Sequence, residues 1–256
     1  MKDLLGQAML DYYFGRLAKN PVAHTNITDP DDFEISYLFR SFDTMPKIEQ
    51  TAIQMAQGAV LDAGCGAGSH SLELQSRGNK VRAIDISAKA IETCRLRGIA
   101  DARVEDIMEV SEKFDTVLLL MNGTGICGKL ENLKPFLSHL ETLLNPGGQI
   151  LIDSSDIIYM FEEEDGSYLV PAEGFYGELT FYLQYDGKQE VPFPWLYVPF
   201  GLLEQYATFA GLACEKVIDG PHYDYLARLT LNKKARKFRA FIKHELFYCM
   251  YFIIIA

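Results

Sequence analysis

Three glycines at alternate positions follow a short apolar run in VLDAGCGAGSH, residues 60–70. They are Gly64, Gly66 and Gly68, and Asp62 lies inside the apolar run that precedes them. A glycine-rich loop between a strand and a helix allows a ligand to approach the backbone more closely than a side chain would permit. The stretch therefore predicts a ligand-binding loop at the end of a strand.

Two classes of ligand are bound by such a loop. Dinucleotide-binding folds use the spacing GxGxxG, whereas here the third glycine comes one residue early and Ser69 stands where that pattern has glycine or alanine. Asp85 lies 21 positions after Gly64, a spacing that suits a carboxylate bound to ribose hydroxyls in either class. Asp106 follows the next apolar segment. Carboxylates on three successive predicted strands make the glycine pattern more specific than it is alone.

The elements that would position these residues alternate between short apolar runs and helical patterns. The apolar runs predict seven strands, at residues 58–64, 80–87, 102–107, 114–123, 149–157, 214–220 and 223–231. Helical periodicity predicts intervening helices within residues 69–78, 88–98, 130–148 and 201–212. This alternation predicts an α/β fold with a doubly wound, seven-stranded and mostly parallel sheet, whose last strand is antiparallel.

The alternation stops between residues 159 and 200, a segment that is crowded with aromatic side chains and contains the only tryptophan. Asp186 and Gly187 offer the positive-φ turn that a tight hairpin requires, so we expect an aromatic-rich hairpin insertion. The predicted organisation is a single domain with an N-terminal helical cap over 1–57, a core over 58–232 that carries the insertion 159–200, and a C-terminal tail over 233–256.

The bulk composition limits the partners. A formal net charge of −11 argues against a nucleic-acid or anionic-membrane surface, because both need a basic patch. The five cysteines never occur in CxxC spacing, which argues against a zinc site and indicates a reducing, cytoplasmic compartment. We predict no metal, no secretory signal and no membrane span, because the apolar stretch LFYCMYFIIIA near the C-terminus has 11 residues and a span needs roughly 20.

Five stretches, in this order, resemble the motifs of the class I S-adenosylmethionine-dependent methyltransferases. They are VLDAGCGAG, VRAIDIS, ARVEDIMEV, FDTVLLLMNGTG and LLNPGGQILIDSSD. The resemblance covers residues 58–156 and extends more loosely to the closing strands. It implies a Rossmann-like methyltransferase fold, S-adenosylmethionine as the methyl donor and S-adenosylhomocysteine as the product. The cap and the insertion match no particular subfamily.

The resemblance also implies a cofactor site around the glycine loop. The backbone of Gly64, Cys65 and Gly66 would lie against the methionine part and the ribose, with Cys65 filling a loop position rather than acting as a nucleophile. Asp62 would orient the loop or meet the cofactor's ammonium group. Asp85 would accept both ribose hydroxyls, because a carboxylate offers two acceptor oxygens and no donor.

The predicted adenine contacts lie after the second and third strands. By the same resemblance, Ile86 would line one face of the adenine ring. Asp106 would accept from the adenine amino group, and Ile107 would contribute its backbone amide. Glu105 is an alternative to Asp106 for this role.

Two further parts of the implied site lie elsewhere in the chain. Met121 and Asn122, at the end of the fourth strand, would border the transferable methyl group. Arg40 on the cap would pair with the methionine carboxylate in a bidentate way that a lysine cannot reproduce. The alternative for Arg40 is a surface salt bridge.

The implied reaction is an in-line methyl transfer to a small-molecule acceptor, which depends on positioning more than on a fixed catalytic group. Aromatic side chains of the insertion are the predicted walls of the acceptor pocket, namely Tyr159, Phe175, Tyr176, Tyr182 and Trp195. His222, in the loop between the last two strands, is the candidate proton acceptor. No other catalytic residue is indicated.

Two other functions stay open from the sequence. One is a non-catalytic module that binds the cofactor or a partner protein on the same fold. The other is a nucleotide-cofactor oxidoreductase, which the GxGxG spacing disfavours. The insertion itself is expected to close over the acceptor as a lid, and the competing interpretation is that it builds the interface of a homodimer.

Overall fold

The computed structural model describes residues 3–232, and their fold is of the α/β type. The α-helices of this range are α1 Leu4–Tyr13, α2 Lys47–Met55, α3 Ser69–Ser76, α4 Ala88–Leu96, α5 Leu130–Thr142 and α6 Phe200–Ala210. The strands are β1 Val22–Thr25, β2 Asp31–Asp32, β3 Ala59–Ala63, β4 Lys80–Asp85, β5 Ala102–Val104, β6 Phe114–Leu119, β7 Leu144–Ser155, β8 Glu178–Tyr185, β9 Lys188–Gln189, β10 Phe193–Leu196, β11 Leu212–Asp219 and β12 Asp224–Leu231.

The main sheet has seven strands in the order β11-β12-β7-β6-β3-β4-β5. Each pair of neighbours in the part β7-β6-β3-β4-β5 is parallel, whereas β12 is antiparallel to both β7 and β11. The predicted seven-stranded, mostly parallel sheet with an antiparallel last strand is therefore confirmed. Its central strands are buried on both faces, as parallel strands are when helices cover the sheet, and Val117, Leu118 and Leu119 of β6 are fully buried.

Two hydrophobic clusters cover the two faces of this sheet. One contains the apolar faces of α5 and α6, where Leu133, Leu137 and Leu140 recur at helical spacing and are fully buried. The other joins Ile53 of α2 and Leu74 of α3 to the opposite face of the sheet. Because β3, β4, β6 and β7 are parallel, their carboxyl ends meet at one edge of the sheet, where ligands bind in open α/β folds.

A second sheet has the strand order β10-β8-β1-β2, with β9 paired to β8. The predicted hairpin joins β8 to β9, and Asp186 and Gly187 in its turn have φ values of 50° and 68°. The cap supplies β1 and β2 to this sheet, and β1 pairs antiparallel with β8. The expectation of a purely helical cap is therefore wrong in part.

The reason for this difference lies in the length of the cap's strands. β1 has four residues and β2 has two, which is too short to produce an alternating pattern in the sequence. β1 forms a strand because β8 offers it an unpaired strand edge that lies far away in the chain. The cap and the insertion are thus one structural unit, although the sequence presents them as two additions.

The tail at 233–256 lies outside the described residues. Within residues 3–232, no helix is long and apolar enough to cross a membrane. In the same range, no cluster of three or more His, Cys, Asp or Glu side chains is arranged to hold a metal ion. The cysteines of this range, Cys65, Cys94, Cys127 and Cys214, are free thiols.

Candidate functional site

The glycine loop is tied to the second strand of the predicted cofactor site by its own backbone. The N–H groups of Gly64 and Cys65 both donate to the Ile84 carbonyl, at 2.9 and 3.0 Å. Gly64 and Gly66 have φ values of 71° and 53°, a region that favours glycine. Gly68 has a packing role, because a Cβ there would lie 2.2 Å from a carbon of Ile99. The loop is therefore held to β4 by its own backbone, and Gly64 and Gly66 carry no side chain that would keep a ligand away from it.

Asp85 lies directly against this loop. Its Oδ2 accepts from the Gly66 N–H at 3.0 Å, and its Oδ1 accepts from the Ser87 N–H at 2.8 Å. Burial raises the pKa of Asp85, and the two backbone donors oppose that rise. Each carboxylate oxygen has further acceptor capacity. The structure thus brings two of the predicted site residues, Asp85 and Gly66, together.

Asp62 is buried inside β3 and accepts from the Ser71 hydroxyl at 2.6 Å. Burial raises the pKa of Asp62, while the charge of His70 and the hydrogen bonds of Ser71 lower it. The bond to Ser71 connects the strand before the loop to the helix after it. This is the geometry that an orienting role for Asp62 requires.

The predicted adenine contacts lie at the ends of β4 and β5. Ile86 is 58% exposed, so its side chain is free to cover a ligand. Asp106 is exposed and accepts from the Met108 N–H at 2.9 Å, as the cap of a short 3-10 helix. Ile107 is buried, and its carbonyl accepts from His139 Nε2 at 2.8 Å. The side chain of Ile107 therefore belongs to the core, and only its backbone remains for a ligand.

Met121 and Asn122 form a left-handed turn after β6, with φ values of 66° and 63°. The buried Asp153 carboxylate of β7 stabilises this turn, since it accepts from the N–H groups of Met121 at 3.0 Å and Gly123 at 2.9 Å. Burial raises the pKa of Asp153 to about 6. Asn122 uses its side chain internally, donating to the Leu196 carbonyl at 3.1 Å. Asn122 thus faces the second sheet with its side chain.

Arg40 is buried in an ion network with Glu49 of α2 and His70 of α3. Its guanidinium donates to the Glu49 carboxylate and to the Tyr37 carbonyl, and it lies 3.9 Å from the centre of the Tyr37 ring. His70 Nε2 lies 2.6 Å from the same Glu49 oxygen. The Arg40 and Glu49 side chains are 5% and 4% exposed, so the alternative of a surface salt bridge is wrong.

The charge state of this network follows from its partners. Burial alone would raise the pKa of Glu49, but the hydrogen bond and charge of His70 and the charge of Arg40 outweigh it and hold the pKa below its ordinary value. Because an ionised carboxylate only accepts, His70 Nε2 must carry a hydrogen. Arg40 Nε is buried without a hydrogen-bond partner. The network joins the cap to the first turn after the glycine loop.

Helix α1 covers the predicted cofactor edge. The Asp3 carboxylate, just before this helix, accepts from the Ser87 hydroxyl at 2.5 Å and from the Lys89 N–H at 3.1 Å. Met9 lies 3.7 Å from where a Cβ of Gly66 would be. On its other side α1 meets the insertion, where Tyr185 donates to Asp11 at 3.1 Å.

A cavity of about 330 Å³ lies at the carboxyl end of β7. It is lined by residues of the cap, the insertion and the loop before β12, namely Thr25, Thr28, Ser155, Ile157, Tyr159, Met160, Leu179, Tyr197, His222 and Asp224. A larger cavity of about 720 Å³ lies between the end of α1 and the β8–β9 turn, where none of the predicted site residues lies. The smaller cavity is therefore the candidate acceptor site.

The predicted aromatic walls of the acceptor site divide into two groups. Tyr159 lines the cavity, and the nearby Tyr176 donates to Asp156 at 2.8 Å. Trp195 instead packs against Gly125, where a Cβ would lie 2.1 Å from its ring. Tyr182 stacks on a histidine of β1, on the opposite face of β8 from Leu179. Phe175 packs against the main hydrophobic core.

Sequence reasoning missed several residues that the fold brings together here. They are Glu49, His70, Asp153, Tyr197 and Asp224. Asp153 could have been predicted as a site residue, because it lies inside the apolar run ILIDSS as Asp62 lies inside VLDAG. The other four residues have no such sequence pattern, because only the pairing of distant segments makes them neighbours.

The comparisons with known proteins agree on one activity. A protein-family model described as a methyltransferase domain matches residues 60–148. The chain is 44% identical to a SAM-dependent methyltransferase from Bacteroides fragilis, solved in complex with S-adenosyl-L-homocysteine. The match has a TM-score of 0.85 and covers 90% of this chain and 95% of that chain.

Two further matches cover less of the chain or share less of its sequence. Malonyl-[acyl-carrier protein] O-methyltransferase from Salmonella typhimurium is 35% identical over 98 residues, which are 36% of this chain and 37% of that enzyme. The match to this curated relative thus spans little more than a third of its length. The CcbJ methyltransferase from Streptomyces caelestis is 14% identical with a TM-score of 0.58, covering 73% of this chain and 90% of that chain, which indicates a shared fold.

Proposed function

The chain belongs to the S-adenosylmethionine-dependent methyltransferases, and we propose that it transfers the cofactor's methyl group to a small molecule bound at the carboxyl end of β7. The observation that carries this proposal is the cavity of about 330 Å³. Its volume is that of a small-molecule site, and the cap and the insertion line it together with the carboxyl end of β7 and the loop before β12.

The residues at the edge of β3, β4 and β5 fit this cofactor, which supplies a methyl group activated on a sulfonium. The loop from Gly64 through Cys65 to Gly66 offers a close backbone approach, and Asp85 offers acceptor oxygens for the ribose. Ile86 offers an exposed apolar side chain for adenine. These assignments are part of the proposal.

We assign the adenine amino group to Glu105 rather than to Asp106. Glu105 Oε2 is buried without a hydrogen-bond partner, whereas Asp106 already caps a 3-10 helix. A buried acceptor with no donor costs free energy, and a ligand's amino group would satisfy it. The backbone of Ile107 remains in the proposed site.

For Arg40, the proposed role differs from the predicted bidentate pairing with the cofactor's carboxylate. Its guanidinium is already neutralised by Glu49, so it holds the cap against α3 and the glycine loop. Its Nε is the group that remains for the cofactor's carboxylate. Arg40 is therefore proposed as a positioning residue first and as a ligand contact second.

The acceptor cavity begins close to the proposed position of the methyl group. Asp153 binds the Met121 backbone, and Ser155, two residues further along β7, lines the cavity. Two residues of a strand span about 7 Å. A molecule in this cavity can thus reach a methyl group that Met121 borders.

The insertion is proposed as the roof of this cavity. Leu179 of β8 lines it, and β8 is paired with β1 on one side and β10 on the other, so the roof is a sheet rather than a free loop. Such an enclosure suits a small molecule better than a polymer. The free thiols of Cys65, Cys94, Cys127 and Cys214 are consistent with a reducing, cytoplasmic compartment.

An experiment that fills the cavity tests this proposal. The protein is incubated with S-adenosylmethionine and a panel of metabolites, and S-adenosylhomocysteine formation is measured together with the mass of each product. Replacing Leu179→Trp should abolish turnover, because the larger ring occupies the cavity. Tyr182→Trp, on the other face of the same strand, is the matched control and should keep turnover.

Folding is checked by thermal unfolding, and Met160→Trp at the cavity rim provides a second blocking variant. Full turnover in both blocking variants would place the acceptor elsewhere. Cofactor binding without turnover of any panel member would favour a non-catalytic binding module instead.

A further inference from the structure

The wall of the acceptor cavity has one side chain with a full charge. Among its lining residues in the described part of the chain, Asp224 is acidic, and there is no lysine or arginine. The other polar groups of the lining are hydroxyls and the His222 imidazole. An anionic ligand would meet no cation in this wall, whereas a cationic ligand would meet a carboxylate.

The Asp224 carboxylate is held in place by the turn before β12. Its Oδ1 accepts from the His222 N–H at 2.8 Å, and the Gly220 N–H donates to the Asp224 carbonyl at 2.7 Å. Gly220 lies so close that a Cβ would be 2.2 Å from Asp224 Oδ2. A carboxylate fixed in this way presents its charge in one direction, which lowers the entropy lost when a ligand binds.

Tyrosine rings line the same cavity as this carboxylate. Tyr159 stacks on Tyr223 with ring centres 4.8 Å apart, and Tyr223 is held with a left-handed φ of 59°. The Tyr223 carbonyl accepts from the Asp156 N–H at 3.0 Å. Tyr197 adds a second phenol to the lining. A carboxylate and tyrosine rings in the wall of one cavity form a combination that binds ammonium groups, through charge and cation–π attraction.

The surrounding charges have the same sign. Asp156 accepts from Tyr176 near the cavity, and Asp153 lies two residues before Ser155 on β7. The positive charge of Arg40 on the cap is neutralised by Glu49. The whole chain has a formal net charge of −11. The field in this part of the protein therefore favours cations.

We infer that the acceptor is an amine, whose ammonium form is bound by Asp224 and whose proton is taken by His222. This inference rests on the proposed function, because it names the acceptor class of the same cavity. His222 lines the cavity and is exposed, so it can pass a proton to solvent.

The step balances in charge and atoms. The ammonium nitrogen releases a proton to the His222 imidazole, and its lone pair then forms the nitrogen–methyl bond while the sulfur–methyl bond breaks. The positive charge leaves the sulfonium, which becomes a neutral thioether, and appears on the methylated nitrogen. Asp224 is in place to stabilise this charge as it develops.

Binding of matched probes tests the inference without turnover. Calorimetry on the full chain with S-adenosylhomocysteine present compares 2-phenylethylammonium with 2-phenylethanol and phenylacetate, and cyclohexylammonium with cyclohexanol and cyclohexanecarboxylate. We expect the ammonium probe of at least one set to bind at least tenfold more tightly than its alcohol and its acid. Preference for an alcohol or an acid, or no binding of either ammonium at millimolar concentration, would overturn the inference.

Two variants near the β11–β12 turn test whether Asp224 is the source of the preference for ammonium probes. Asp224→Asn keeps an oxygen for the His222 N–H but loses the charge, and it should weaken ammonium binding at least tenfold while leaving alcohol binding within twofold. Asp219→Asn removes an exposed charge that pairs with Lys216 at 2.9 Å, and it should change neither. An ammonium preference that persists in Asp224→Asn would contradict the inference.

Turnover of the preferred amine tests His222 separately. His222→Ala should lower the rate of S-adenosylhomocysteine release about a hundredfold or more at unchanged probe affinity, and an unchanged rate would overturn its role.

The proposed function and the inference of an amine acceptor can fail independently. A parent protein that binds S-adenosylmethionine and methylates an alcohol or a carboxylate keeps the proposed function and loses this inference.

Discussion

The two sides of the site are built in opposite ways. The cofactor side, which we define as the loop 64–68 with Asp85, comes from two adjacent strands and is held by backbone hydrogen bonds. The acceptor side, which we define as the residues lining the 330 Å³ cavity, comes from segments spread between Thr25 and Asp224. One side is local in sequence and the other is assembled by long-range pairing.

This difference separates what is common to the fold from what is particular to this protein. In the proposed site, backbone groups of the loop would bind the cofactor whatever the surrounding side chains are, so a short motif is sufficient. The acceptor side depends on which side chains β1, β8 and the β11–β12 turn carry to one place. Substitutions on the cofactor side should therefore affect every reaction of the protein, and substitutions on the acceptor side should affect specificity.

The largest expected effect concerns the junction between the cap and the cofactor side. Glu49→Gln leaves the buried Arg40 guanidinium without its counter-charge. Removing one partner of a buried ion pair costs about 3–5 kcal/mol of unfolding free energy. Chemical denaturation of the parent and the variant measures this loss. Because the network reaches His70, just after the loop, we also expect weaker cofactor binding.

A surface pair on the same helix as His70 serves as the control. Glu73 of α3 and Arg77, the residue that follows this helix, are 2.7 Å apart and partly exposed, so Glu73→Gln should cost less than about 1 kcal/mol. Equal losses in the two variants would mean that the buried network does not hold the cap in place.

A smaller effect is expected at Asp153, which lies between the two sides. Its pKa in the folded protein is raised from 3.8 to about 6, so its contribution to stability is present below pH 4 and is lost as the pH rises through 6. The unfolding free energy of the parent minus that of Asp153→Asn should therefore fall between pH 4 and pH 7 by up to about 3 kcal/mol.

Asparagine keeps one acceptor for the Met121 and Gly123 N–H groups, so a constant loss is added to this pH-dependent difference. Denaturation curves measured at several pH values separate the two terms. A difference that stays constant across this pH range would show that Asp153 is not desolvated, and the left-handed turn at Met121 would need another source of stability.

The main sheet was predictable because its elements carry periodic signals. The run Val117–Leu119 has no polar interruption, and the leucines of α5 recur at helical spacing, so each element could be assigned from its own residues. The Asp186-Gly187 turn was predictable for the same reason, since left-handed φ values restrict the residue types. These features are determined by residues that are close together in the sequence.

The second sheet and the acceptor side were not predictable in this way. Nothing in the four residues of β1 indicates that they pair with β8, more than 150 positions later. The same holds for Arg40, whose buried partner Glu49 looks like a surface residue of an amphipathic helix in the sequence. Trp195 was predicted as an aromatic wall of the acceptor pocket, but its ring packs directly against Gly125. Tertiary contacts decide these features.

The most direct test of the separation between the two sides is a titration of S-adenosylhomocysteine by calorimetry. Asp85→Ala should weaken its binding at least tenfold, because a hydrogen bond to a charged group contributes roughly 1.5–3 kcal/mol. Leu179→Trp, which fills the acceptor cavity, should leave its affinity within twofold. Unchanged affinity in Asp85→Ala, or an equal loss in both variants, would contradict the account.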